Sequence, residues 1–465
     1  MLDLDSGQAL VAMARWGPEV HQQSVWNYRP EDGAPVSAPT EVQPARPRTG
    51  VHRAWFVAAA VVSALVAAAG FRSSTGALIE PLEASYGWSR TTTSGAVTVN
   101  LVLFGVTAPF AAALMDRFGI RRVLSLALVL VSLGSGLTIW MTAPWQLWIL
   151  WGLLVGVGTG AMALVLGSIV ANRWFQTRRG LVTGVFAAAS STGQLIFLPA
   201  IATLAEGPGW RYAAGLTSVA ALALVPIIVG VVRDWPADVG VPPYGGDVIV
   251  APPARHTRGG SSPAARAVRV LREAAPVPAF WVLAGTFFVC GWSTNGLIGT
   301  HFIPAAHDHG MPAKTAAGLL ALIGIFDILG TIASGWLTDR IDPRLLLAVY
   351  YALRGASLLV VPAVLGPDVQ PSLFLFIVFY GLDWVATVPP TMALCRIHFG
   401  LDRSSVVFGW VFASHMVGAG IAAAYAGWMR ESTGDYFAAW LTAGGLCVVA
   451  AAACYVLPRR REPVG

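Results

Sequence analysis

AALMDRFGIRR, residues 112–122, and SGWLTDRIDPR, residues 334–344, decide how this chain is built. Each stretch carries an Asp-Arg pair, Asp116-Arg117 and Asp339-Arg340, in a short polar gap between two long apolar runs. The first gap lies between the second and third apolar runs, the second between the eighth and ninth. One such gap reads equally well as an ordinary tight turn. Its recurrence at the matching place in each half points to a duplicated chain. A loop holding an acid, an arginine and a turn glycine (Asp116, Arg117, Gly119 and Arg122; Asp339 and Arg340) can clasp helix ends in one conformation and release them in another. The clasp would work through charge-assisted hydrogen bonds and helix-end dipoles.

Outward from these loops the sequence is that of an integral membrane protein. Of its 465 residues 55% are hydrophobic and only 12% charged, against about 25% charged in soluble domains, and the mean hydropathy is +0.64. Twelve apolar runs lie at 54–79, 91–114, 123–142, 146–170, 181–204, 211–232, 279–304, 315–337, 345–366, 371–395, 405–427 and 436–457. Each has 20 or more residues and they are rich in Gly and Ala, so they read as spanning helices; barrel strands would alternate over about ten residues. Residues 1–51 are polar and Pro-rich, without a signal-peptide core, and read as a disordered tail. Residues 233–277, with PPYGG, APP and RGGSSP, read as a linker that divides the runs six and six, 52–232 and 278–457, leaving 458–465 as a short tail.

The net charge of +6 belongs to the topology rather than to nucleic acid. Arginines gather in alternate gaps: 117, 121 and 122; 173, 178 and 179; 255–272; 340 and 344; 396 and 403; 459–461. This is the positive-inside pattern, and it expects both termini in the cytoplasm, across a plasma or bacterial inner membrane. Cys290, Cys395, Cys447 and Cys454 sit within or at the ends of apolar runs without the paired spacing of a zinc or redox site, so packing is expected of them and no metal or cofactor.

The loop from Ala112 to Arg122 resembles the signature of the major facilitator superfamily, G-x-x-x-D-R-x-G-x-R-R, with Ala112 in place of the first glycine; Gly335 keeps that glycine in the second half. The resemblance covers nearly all of 52–457. It implies an all-α fold of twelve transmembrane helices in two six-helix bundles, with substrate near the midplane between them, in a protein acting as a monomer. WFQTRRGLVTGVFAAASSTG, residues 174–193, and PLEASYGWS, residues 81–89, resemble the monocarboxylate transporter branch and its oxalate/formate relatives. The branch's acidic-glycine-tryptophan signature is replaced by HRAWF. The fifth run lacks the Gly-Pro pair of drug/proton antiporters, and Gly152 stands where many proton-coupled relatives carry an arginine.

Arg72, Asp327, Arg354, Asp383 and His415 lie inside apolar runs, where an ionisable group is costly and by default functional. Arg72 falls in the outer half of the first run, so snorkelling to the surface is the plain reading; RSSTG at 72–76 suits a wet cavity wall. The resemblance places Arg72 on a basic position and Asp327 on an aspartate implicated in proton and substrate coupling, while Thr331 replaces the family's substrate-binding arginine. Arg72 then becomes the anion ligand. Arg354 and Asp383 on consecutive runs read as a buried ion pair. His415 reads as a proton relay or as a neutral histidine held by a carbonyl. Asn295, Tyr380, Trp384 and Trp410, with Trp292, are candidates for a pocket wall, or for packing alone.

These residues expect a secondary transporter that moves a small organic anion with protons. No G-x-x-x-x-G-K-[ST] phosphate loop is present. An exporter of drugs or metabolites working as a proton antiporter is the alternative within transport, and a transporter-fold sensor the alternative outside it. No nucleophile-base set suggests an enzyme.

Overall fold

In lipid a backbone must satisfy its own hydrogen bonds, so long apolar runs have one local solution, the helix. The computed structural model describes residues 50–88, 90–249 and 262–458. Among the described residues, twelve helices long and apolar enough to cross a membrane follow the twelve runs. In the first half these are α1 (Arg53–Ala77), α2 (Arg90–Phe118), α3 (Ile120–Leu137), α4 (Pro144–Trp174), α5 (Arg179–Leu204) and α6 (Trp210–Val231). The second half has α7 (Pro278–Asp308), α8 (Ala313–Thr338), α9 (Pro343–Val364), α10 (Pro371–Phe399), α11 (Leu401–Thr433) and α12 (Phe437–Val456). Proline opens α4, α7, α9 and α10, where its missing N–H costs nothing.

The duplication read from the loops is visible in the packing. In the first half α1 pairs with α5, α3 with α6 and α2 with α4; in the second α7 pairs with α11, α9 with α12 and α8 with α10. The two six-helix bundles meet along a seam built by α5 on α8 and by α2 on α11. Exposed Leu126, Leu133, Val219, Leu222, Val360 and Val449 on α3, α6, α9 and α12 give the bundles their apolar outer faces. Trp140, Trp145 and Trp148 stand exposed together around the α3–α4 connection, as aromatic residues do at a lipid–water boundary.

Gly119 separates α2 from α3 at φ +90°, a conformation that L side chains rarely adopt, and a Cβ there would run into the Asp234 carboxylate. That carboxylate accepts the Arg121 N–H at 3.0 Å in the first turn of α3. The turn glycine is therefore required twice, by the backbone and by its neighbour.

The stretch expected as a linker is ordered at both described ends. Tyr244 docks beneath the first bundle: its N–H bonds the Trp174 carbonyl at 2.8 Å, and its ring meets Trp55 and Phe175. Pro263–Ala274 forms an amphipathic helix, capped by the Ser262 hydroxyl on Ala265 N–H, that buries Ala267, Val270 and Ala274 against α2 and α11. The tail 1–49, the linker centre 250–261, residues 459–465 and the Ser73, Ser74 and Thr75 side chains lie outside the described residues.

Candidate functional site

Pro389 and Pro390 take two N–H groups out of α10, and the helix breaks between Asp383 and Val388. The backbone groups freed by the break are met by side chains from neighbouring helices. Asp327, about half-way along α8, accepts the Val385 N–H at 2.9 Å. Arg354 on α9 donates to the carbonyls of Asp383 and of Trp384, the latter at 3.1 Å. Ser334 donates to the Ala386 carbonyl at 2.5 Å. Arg354 also pairs with the Asp383 carboxylate at 2.7 Å, with its side chain fully buried. Arg354 and Asp383 are thus joined to each other, and they and Asp327 are all tied to one broken helix.

Asp327 is wholly buried and, among the described residues, carries three donors. On Oδ1 it receives Val385 N–H and the Thr331 hydroxyl at 2.7 Å; on Oδ2 it receives the hydroxyl of Ser191, from α5 in the other bundle. The carboxylate therefore lies on the seam. Close approach of α5 and α8 is permitted by Gly180, Gly184 and Gly335, where a Cβ would strike the opposing backbone.

Along the second seam a chain of rings runs from Arg72 to His415. The Arg72 guanidinium lies 4.6 Å from the Phe104 centroid on α2, so its head turns toward the seam. Phe104 meets Phe412 on α11 edge-on at 5.6 Å, and Phe412 stacks on His415 at 5.9 Å with 9° between planes. His415 Nε2 lies 3.3 Å from the Asn295 amide, on a widened turn of α7 at Trp292–Ile298. Widened turns of this kind are frequent at functional positions.

Tyr380 is buried, donates to the Ser293 carbonyl at 2.7 Å and meets Trp384 edge-on, so both belong to the α7–α10 wall beside the Arg354 cluster. Trp410 lies apart: its indole N–H bonds the Ala267 carbonyl of the connecting helix at 3.0 Å. Gly152 packs on α2, where a Cβ would meet Val99. All four cysteines are reduced and buried, and among the described residues no metal-holding cluster occurs.

The loop residues gather at one end of the bundles. Asp339 accepts the N–H groups of Gly180 and Leu181 at 2.7 and 3.0 Å, capping the start of α5 across the seam. Asp116 pairs with Arg173 of α4 at 2.7 Å and with Arg266 of the connecting helix at 2.9 Å, and Arg266 reaches the Asp402 carbonyl of α11 at 3.2 Å. Arg117 lies over Phe118 and Arg340 over Trp336, while Arg122 is exposed. Asn172 and Ser168 meet Ser404 and Ser405. Among the described residues, α1 and α7 make no extended packing with the opposite half.

Sequence reasoning missed Ser191, Phe104, Phe412 and Arg266. A serine or phenylalanine in an apolar helix carries no signal of its own. Arg266 had one, a Ser-Pro start followed by an amphipathic stretch, set aside inside a segment read as linker.

Comparison with known proteins covers most of the chain. The family profile described as Major Facilitator Superfamily matches residues 60–423. Over 394 residues the chain is 24% identical to the uncharacterized MFS-type transporter YcxA of Bacillus subtilis (strain 168), covering 82% of this chain and 89% of that one. Over 439 residues it is 28% identical to monocarboxylate transporter 11 of Homo sapiens, covering 91% and 86%. The crystal structure of the human organic anion transporter MFSD10 (TETRAN) superposes with a TM-score of 0.66 at 16% identity, over 86% of this chain and 99% of that one, a likeness of fold.

Proposed function

The chain belongs to the Major Facilitator Superfamily, and from that premise we propose that it moves a small organic anion of monocarboxylate type together with protons, by alternating access. The observation that carries this reading is the placement of Asp327: a carboxylate in the middle of a membrane helix, fully buried, bonded at once to the break in α10 and to the opposite bundle. A group so placed couples its own charge to the relation between the halves. Arg72 supplies a fixed positive charge near the other seam, on the Phe104 face. The similarity to monocarboxylate transporter 11 supports a carboxylate as cargo.

In the proposed cycle the anion binds at Arg72, with Asn295, Tyr380 and Trp384 toward the opposite wall, while Asp327 takes a proton. Neutralising both charges removes the desolvation cost of closing the site. Arg354 and Asp383 hold the broken helix, and His415 joins the wall through Asn295. The clasps of Asp116 and Asp339 hold the two halves together at the arginine-rich end, as one state of such a cycle requires. That end faces the cytoplasm by the positive-inside rule, which puts both termini there, in the plasma or bacterial inner membrane. One chain contains both halves and works as a monomer.

Purified protein in liposomes, given lactate, pyruvate and larger monocarboxylates under an imposed pH gradient, tests the reading. Accumulation toward the alkaline side supports proton-coupled anion uptake. Accumulation against the proton flow makes the protein an exporter by antiport, and no gradient-driven flux of any acid rejects the assignment.

A further inference from the structure

The three donors around Asp327 are not equivalent. Val385 offers a backbone N–H, which only donates, and it sits on Oδ1 together with the Thr331 hydroxyl. A proton placed on Oδ1 would leave that N–H facing a hydroxyl oxygen, a much poorer acceptor than a carboxylate or carbonyl oxygen, at the helix break, a cost in a buried site. Among the described residues Oδ2 has one partner, the Ser191 hydroxyl, and a hydroxyl can donate or accept. Asp327 itself is wholly buried, whereas Ser191 is partly exposed on the α5 face of the seam.

We propose that Ser191 is the residue through which Asp327 exchanges its proton, that the proton resides on Oδ2, and that Ser191 thereby carries the charge state of the second bundle into the first. This rests on the reading of Asp327 as the proton carrier. The balance is simple. A hydronium at the seam gives up one proton, Oδ2 gains an O–H bond, water is released, and the Ser191 hydroxyl turns from donor to acceptor. Nothing is oxidised or reduced. In the ionised state Ser191 donates across the seam to a carboxylate, a charge-assisted bond between the halves; in the protonated state that bond becomes neutral and weaker, which loosens α5 from α8. Val385 and Thr331 keep Oδ1 in both states, so the α10 break stays satisfied throughout.

The charged groups set against Asp327 are Arg354 from α9 and Asp383 from α10. These two are paired with each other at 2.7 Å. The only ionisable side chain on α5 is Arg179, at its first residue. Among the described residues, Ser191 is the polar group of the opposite bundle that bonds Oδ2 and can answer a change there.

The test needs no substrate. The full chain in lipid nanodiscs is titrated by infrared spectroscopy, and the protonated-carboxyl band of Asp327 is identified by its loss in Asp327→Asn. Ser191→Ala is expected to move the midpoint of that band upward by about one pH unit, a tenfold change in proton affinity, as expected for loss of a hydrogen bond to the charged form. After a pH jump, protonation is also slower in Ser191→Ala. Ser191→Thr restores both, and Ser191→Cys, a weak donor, falls between and serves if the alanine variant does not fold. An unmoved midpoint and rate in Ser191→Ala and Ser191→Cys overturns the proposal, as does the absence of any titrating band lost in Asp327→Asn. Should these shifts appear while liposomes show no proton-driven flux, the transport reading fails and the Ser191 relay stands.

Discussion

Arg72, half-buried, and Asp327, wholly buried, show how differently two charges are managed. The Arg72 head lies over an aromatic face, and a guanidinium has a planar fork that can match two carboxylate oxygens where lysine offers a point charge. Arg72→Lys should bind a monocarboxylate weakly but measurably, and Arg72→Ala should lose about 2–5 kcal/mol, the range for truncating one partner of a desolvated charge pair. Calorimetric titration of both variants, with melting temperatures in parallel, checks this; wild-type affinity in both would reduce Arg72 to an interface anchor. Asp327 is held instead by three neutral donors. An asparagine of the same shape keeps an acceptor but not the charge, so Asp327→Asn should abolish proton-driven accumulation while permitting exchange of labelled for unlabelled substrate. Undiminished accumulation in that variant would remove the residue from the mechanism.

Among the elements, α10 and α5 depend on side chains from elsewhere. Replacing a simple buried ion pair by apolar residues is often nearly neutral, whereas removing one partner costs about 3–5 kcal/mol. Arg354 also holds two carbonyls of the α10 break, so the double variant Arg354→Met/Asp383→Leu should remain destabilised nearly as much as Arg354→Ala. Denaturation of all three proteins in the same detergent measures the difference, and a double variant as stable as wild type would show the carbonyl contacts to be dispensable. At the start of α5, Asp339 bonds two N–H groups directly across the seam, while Asp116, among the described residues, reaches the other half through Arg266. Asp339→Asn should therefore loosen the arginine-rich end more than Asp116→Asn, by roughly 1.5–3 kcal/mol for hydrogen bonds to a charged group. Distances between spin labels on α5 and α8 report it, with substrate affinity changed by no more than a few-fold. Equal loosening by both variants would refute the asymmetry.

For the whole molecule the expectation concerns the seam as a moving part. The Ser168 and Ser405 hydroxyls lie 3.4 Å apart from opposite bundles, close enough for a disulfide to replace them. The double variant Ser168→Cys/Ser405→Cys should lose transport on oxidation and regain it on reduction, with each single variant active throughout. The four native cysteines are buried and leave the reading clean. Full transport in the cross-linked protein would mean that this end does not open.

What the sequence by itself determined is whatever the membrane imposes one segment at a time. Twelve apolar runs become twelve helices because lipid leaves each stretch of backbone no partner but itself. The paired Asp-Arg loops disclose the duplication because equivalent loops keep equivalent positions along the chain, and the same half-by-half pairing of helices follows from it. Arg72, Asp327, Arg354 and Asp383 stand out in the sequence because each is a lone charge among apolar neighbours. What only the tertiary structure decided is whom these groups touch. Ser191 and Asp327, Asp339 and the first turn of α5, Trp410 and the connecting helix meet across more than a hundred residues of chain. Such meetings are set by how each helix is rotated and how closely glycines let it approach its neighbour, and that information is spread over the whole packed bundle rather than written at either residue.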